Sequence, residues 1–160
     1  MTIPVRAVRD LTGQLVHAAH VLQTRLAAAL AEIDSSPRMH CVLAHAMETE
    51  RTQIQLAEVT DLDKTTMVVT IDELERRQLA VRHLSSTDRR ARIVRVTPAG
   101  EALVGRGIEI VDRVHAEVLG ALPDGERAAF VSALARLAEG ELSVPAECDR
   151  PVRRARQTRR

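Results

Sequence analysis

Apolar positions along the chain fall into a succession of helical stripes, interrupted once by a stretch of β character. Over residues 5–34, Leu11, Leu15, Ala18, Leu22, Leu26, Ala29 and Ile33 recur at alternating spacings of four and three, which predicts one long helix with a continuous apolar seam. Ser35-Ser36-Pro37 stops it and starts the next helix, with serine as cap and proline at the first helical position, where its missing N–H is no loss. This second helix, to about Glu48, turns Met39, Val42, Leu43 and Ala46 inward. Thr52 and Gln55 then have the capping-box spacing, and Leu56, Ala57 and Val59 form the apolar side of a short helix. A turn near Asp61-Leu62 leads to another helix, capped by Asp63. In it Met67, Ile71 and Leu74 face inward, while Lys64, Thr65, Thr66, Val68 and Val69 are left on the opposite side. Two short helices so joined make a helix-turn-helix.

After Arg77 the pattern changes. Residues 81–85 and 92–97 are short β-rich runs around Ser86-Thr87-Asp88-Arg89-Arg90-Ala91, predicting a hairpin with a basic tip. Thr97-Pro98 repeats the cap-then-proline device and opens a long helix lined by Leu103, Val111, Val114, Val118 and Leu122. Pro123-Asp124 interrupts, and Phe130, Leu134 and Leu137 mark a final helix ending near Gly140. From residue 141 Pro145 and Pro151 break the periodicity, and the arginine-rich stretch to Arg160 reads as a basic, disordered tail. The predicted fold class is mainly α with a small β-hairpin wing. A winged helix-turn-helix at 37–97 is flanked by helices over 5–34 and 98–140, all in one domain. The flanking helices carry more apolar face than so small a core can cover. Either they pair with the same helices of a second subunit, giving a two-fold homodimer, or they only close the core of the monomer.

Composition narrows the function. At 160 residues and 45% hydrophobic content the chain can bury one sizeable core. No run approaches the length of a membrane span and the first residues do not resemble a secretion signal. The expectation is a soluble cytoplasmic, nucleoid-associated protein with no membrane partner. Cys41 and Cys148 are too few for a disulfide framework or a four-ligand zinc site. The net charge of +1 hides segregation: residues 1–80 carry −3, 81–100 carry +4, 101–144 carry −4 and 145–160 carry +4. Positive charge thus sits on the wing and the tail, where it can replace counterions along a phosphate backbone. Phe130 is the sole aromatic residue. A reader of unpaired bases needs stacking platforms, so duplex DNA is the better partner than single strands or RNA.

Four stretches carry a family resemblance. Gln53-Ile54-Gln55-Leu56-Ala57, Leu62-Asp63-Lys64-Thr65-Thr66, Asp72-Glu73-Leu74-Glu75-Arg76-Arg77 and, above all, Asp88-Arg89-Arg90-Ala91-Arg92-Ile93-Val94-Arg95-Val96-Thr97-Pro98-Ala99-Gly100 resemble the MarR family of bacterial transcriptional regulators. The resemblance covers about residues 37–103. It implies a homodimer on pseudo-palindromic operator DNA, released by a small ligand or an oxidant. The segment from Lys64 to Val69 would enter the major groove, and Arg89 and Arg90, with Arg92 nearby, would place the wing in the minor groove. A small anionic or phenolic effector would sit between the dimer helices and the winged helix. Three positions depart from the pattern: Val69 stands where the family often has arginine, Gln78 where it often has a turn glycine, and Asp34-Ser35-Ser36-Pro37-Arg38 replaces the usual Leu-Thr-x-x-Gln entry to the second helix.

Each candidate residue has a plainer alternative. Lys64 contacts phosphate or base, or is a solvated first-turn lysine; Thr65 and Thr66 offer hydroxyls to DNA, or merely start a helix. Val68 and Val69 can touch thymine methyls. Arg89 and Arg90 are solvated charge, or one enters a narrow groove while Asp88 holds the other. Cys41, His45 and Glu48 share a helix face and are competent metal ligands, although a buried cysteine beside a packed histidine is the commoner explanation and no cofactor is expected. His17 and His20 on the first helix, with Cys41 and His45 on the second, are the sensor candidates, since histidine changes charge near neutral pH. No phosphate loop, nucleophile elbow or His-Glu-x-x-His motif indicates an enzyme.

Overall fold

The structure is a computed structural model that describes residues 10–84 and 92–144. Its elements in order are α1 (Leu11–Ala31), α2 (Pro37–Glu48), β1 (Arg51–Thr52), α3 (Gln53–Val59), α4 (Lys64–Arg76), β2 (Ala80–Leu84), β3 (Arg92–Val96), α5 (Pro98–Gly120) and α6 (Asp124–Glu139). The chain divides into two compact units, residues 1–117 and 118–160, with the boundary inside α5. Among the described residues no helix is long and apolar enough to cross a membrane.

Capping chemistry sets most boundaries. The Ser36 hydroxyl accepts from the Met39 amide at 3.2 Å with Pro37 at the first helical position. Thr52 and Gln55 close a full capping box at the start of α3. Thr97 caps α5 by a single bond, its hydroxyl accepting from the Gly100 amide at 3.2 Å. Three C-termini share one device. At Asp34, Asp61 and Gln78 the backbone turns left-handed, with φ of 55°, 52° and 58°. The next amide then reaches back five residues: Ser35 to the Leu30 carbonyl, Leu62 to Ala57 and Leu79 to Leu74. Helix α1 therefore ends at Ala31, three residues before the predicted end at Asp34, because Asp34 is the turning residue. Gln78 occupies a conformation that suits glycine, which accounts physically for the glycine common there in the family it resembles.

The core of the first unit is Met39, Val42, Leu43 and Ala46 of α2, Leu56 and Ala57 of α3, Met67, Ile71 and Leu74 of α4, Leu79 and Ala80, Val94 and Val96 of β3, and Leu103 and Val104 of α5. The inward faces predicted for α2 and α4 are those observed. Other predicted faces differ. Val59 is exposed rather than packed, because α3 ends there. On α5 the buried row is Gly100, Leu103, Val104, Gly107, Ile110 and Val114, so Val111 lies at its edge. Gly100 has a steric reason, since a β-carbon there would overlap the Leu79 carbonyl oxygen. At Gly107 it would overlap the His40 imidazole. On α1 only Leu30 is buried, and it is not a member of the predicted seam; Leu11 and Leu15 are exposed.

The sheet has three antiparallel strands in the order β1-β3-β2, not the two-stranded hairpin expected. Strand β1 is two residues long, with Arg51 opposite Val94 and Thr52 opposite Ile93; β2 pairs with β3 from Ala80 opposite Val96 to Leu84 opposite Arg92. In the second unit α6 buries none of its residues, and Phe130, Val131, Leu134 and Leu137 are exposed along it.

Candidate nucleic-acid interface

Helix α4 owes its position to the row Met67, Thr70, Ile71 and Leu74, which locks one side into the core. Thr70 is the one polar member, and its hydroxyl donates to the Thr66 carbonyl at 2.7 Å. That anchoring turns Lys64, Thr65, Val68 and Val69 to solvent, with Val68 40% and Val69 59% exposed. Val68 and Val69 thus form an apolar pair on an otherwise polar edge. Thr66 differs from its neighbours. Its amide and its hydroxyl both donate to the Asp63 carboxylate, at 2.9 and 2.7 Å. These bonds, the hydroxyl first, hold the Asp63 carboxyl below its ordinary pKa. The Thr66 side chain is thus committed to the cap, the helix-starting alternative of the two readings.

The wing flanks this helix. Arg92 opens β3 and is exposed. Asp88, Arg89 and Arg90 lie outside the described residues. Further along the sheet, Arg82 is mostly buried and tied to α4, with Nη2 donating to Asp72 at 2.7 Å, Nη1 to Glu75, and its backbone amide to Glu75 at 2.8 Å. Sequence reasoning missed this cluster because its members are seven and ten residues apart and meet only across a strand-to-helix contact. The i, i+3 spacing of Asp72 and Glu75 was the available signal.

The four sensor candidates do not converge. His17 and His20 are exposed on the solvent-facing half of α1. His45 donates from Nδ1 to the Glu48 carboxylate, 3.1 Å away, and Arg51 holds the same carboxylate at 3.0 Å. The His45 bond, then Arg51, keeps Glu48 below the usual carboxylate range. Cys41 is half-buried, and burial, then the Glu48 charge, pushes its thiol up, away from the reactive thiolate. Glu48 is therefore satisfied by a cation, and among the described residues no group of three or more His, Cys, Asp or Glu is arranged to hold a metal ion. His40, not singled out from the sequence, packs on Gly107, and burial lowers its pKa. A cleft of about 600 Å³ runs between α1 and α5, lined by Arg25, Ala28, Ala29, Glu32, Arg113, Val114 and Glu117, with an Arg113–Glu32 contact of 3.6 Å beside it.

A helix-turn-helix with a three-stranded wing defines the class: this is a winged-helix protein. Residues 34–91 match the model of the MarR family. Solved structures agree over most of its length. A MarR-family transcriptional regulator from Rhodococcus sp. RHA1 is similar at 25% identity, covering 83% of this chain and 96% of that one, with a TM-score of 0.73. CouR from Rhodococcus jostii RHA1, bound to p-coumaroyl-CoA, is similar at 27% identity over 82% and 93%, with a TM-score of 0.72. The repressor CouR bound to a 23-mer DNA duplex is similar at 26% identity over 86% and 99%, with a TM-score of 0.75.

Proposed function

We propose that the chain is a homodimeric transcriptional repressor that binds a pseudo-palindromic duplex operator and leaves it when a small effector binds. The observation that carries this reading is the exposed edge of Lys64, Thr65, Val68 and Val69 on a helix fixed from behind by a closed core. Lys64 supplies charge to a phosphate, Thr65 a hydroxyl, and the two valines apolar contact with thymine methyls. Thr66 contributes through the cap. Arg89, Arg90 and Arg92 supply charge to the minor groove, with Asp88 orienting one guanidinium. That CouR, at 26% identity, is bound to duplex DNA supports the assignment.

The flanking regions 5–34 and 98–140 are the dimerisation helices around a reading region at 37–97, and the basic stretch 141–160 is an appended tail. Phe130, Leu134 and Leu137 support this reading, since an exposed row at helical spacing costs solubility unless a second subunit covers it. The α1–α5 cleft, lined by Arg25, Arg113, Glu32 and Glu117 with Ala28, Ala29 and Val114, offers a small effector a cavity that the dispersed histidine and cysteine candidates do not. His45 remains the residue for a pH response. Operator binding by His45→Gln between about pH 7.5 and 5.5 tests it, and a curve identical to the parent's removes it. The function itself is tested by footprinting the protein on genomic DNA. Discrete inverted-repeat sites are expected, whereas an adaptor that works through other proteins leaves no footprint.

A further inference from the structure

We infer that Arg82 is a positioning and charge-masking residue for DNA binding: it clamps the wing to α4 and neutralises the carboxylate of Asp72, which stands on the reading edge. The inference rests on the proposed DNA-binding function. Positions 65, 68, 69 and 72 follow one another along the solvent face of α4, so Asp72 continues the row of Thr65, Val68 and Val69. Its side chain is 57% exposed, and a bare carboxylate there repels a phosphate backbone. Arg82, only 17% exposed, comes from the neighbouring strand and binds Asp72 at 2.7 Å while holding Glu75, one turn along, through both its guanidinium and its own amide. A single guanidinium with two carboxylates and a backbone bond in fixed geometry sets both the position of β2 against α4 and the charge of that surface.

The place matters. Asp72 and Arg82 line a notch of about 300 Å³ with Gln53, Arg92 and Val94, where the first residue of α3, the middle of α4 and both long wing strands meet. If α4 and the wing occupy successive grooves, the DNA strand between them crosses this notch. Among the described residues Arg92 makes no ion pair there, so it is free to take the phosphate, provided Asp72 is occupied by Arg82 and not by Arg92. Without Arg82, Asp72 turns to Arg92, and the wing loses both its brace and its nearest phosphate contact.

The test is a mutant cycle read as affinity for a mixed-sequence duplex of about 30 base pairs, long enough for two half-sites, across a salt series. Arg82→Ala is expected to weaken binding on the order of tenfold. Asp72→Asn alone is expected to strengthen it a few-fold, and the Arg82→Ala/Asp72→Asn pair to recover most of the loss. Arg82→Lys keeps the charge but not the fork, and should fall between parent and alanine. Thermal melts place every variant at equal folded fraction, so a purely structural role predicts no rescue by Asp72→Asn. Since Asp72 is exposed, its single variant reads out even if Arg82→Ala does not fold. Additive effects, or an Asp72→Asn that binds no better than the parent, overturn the inference while leaving DNA binding intact. A parent protein that binds no duplex at all overturns the proposed function and this inference with it.

Discussion

The winged-helix region and the terminal helices contain similar apolar stripes and put them to opposite uses. In α2 and α4 every predicted inward residue is buried against another element of the same chain: Met39, Val42, Leu43, Ala46, Met67, Ile71 and Leu74 form one closed core. In the first half of α1 and throughout α6 the stripe is intact but uncovered, with Leu11, Leu15, Phe130, Leu134 and Leu137 all exposed. One region is complete as a fold, and the other has a surface left to bury. A stripe at helical spacing specifies that something will be covered, and the packed structure decides whether the cover comes from the same chain.

The largest effects should separate these two uses. Ile71→Ala or Leu74→Ala, at fully buried sites, should cost about 2–5 kcal/mol in urea unfolding at any protein concentration. Leu134→Ala should leave unfolding at low concentration within about 0.5 kcal/mol of the parent and instead weaken self-association in sedimentation experiments. If both variants destabilise equally and independently of concentration, the terminal helices belong to the monomer core and the contrast fails.

Smaller effects probe how the reading helix is held. Asp63→Ala removes the acceptor for the Thr66 amide and hydroxyl and should lower the melting temperature. Because the folded carboxyl lies below the ordinary carboxylate range, the stabilisation is complete above that range and is lost as pH falls through the lower folded pKa. The acid limb of the stability profile should therefore flatten in the variant. Gln78→Gly relieves the left-handed turn after α4 and should add about 0.5–1 kcal/mol, while the Thr97 hydroxyl bond to the residue-78 carbonyl is kept. His40 is expected to have the smallest effect. Its lowered pKa means the unfolded chain takes up the proton first, so stability is full above the ordinary histidine pKa and declines as pH falls below it. His40→Gln should remove that slope without altering stability at pH 8 by more than about 1 kcal/mol.

What was legible in the sequence was local. Caps at Ser36, Thr52, Asp63 and Thr97 and the inward faces of α2 and α4 follow from spacings of three and four residues, and each is present. What was not legible depends on partners distant in the chain. Strand β1 is too short to leave a pattern and exists because Arg51 and Thr52 meet Val94 and Ile93. The buried face of α5 is set partly by Gly100 and Gly107, which no hydrophobic count includes, because what matters there is the close approach of Leu79 and His40. Of the candidate reading edge, the exposure of Lys64, Thr65, Val68 and Val69 was readable from the helical period. The commitment of Thr66 to its cap and the Arg82 clamp were not, since both are hydrogen-bond choices made only in three dimensions.

The central claim is that the exposed edge of α4 and the wing together bind duplex DNA, and its most direct test is the salt dependence of affinity for a duplex recovered by footprinting. The parent protein is expected to lose affinity log-linearly with salt concentration, and Arg89→Ala/Arg90→Ala to bind more weakly with a slope shallower by about two, one for each phosphate charge removed. Binding that is absent, or indifferent to salt and to both arginines, would contradict the account.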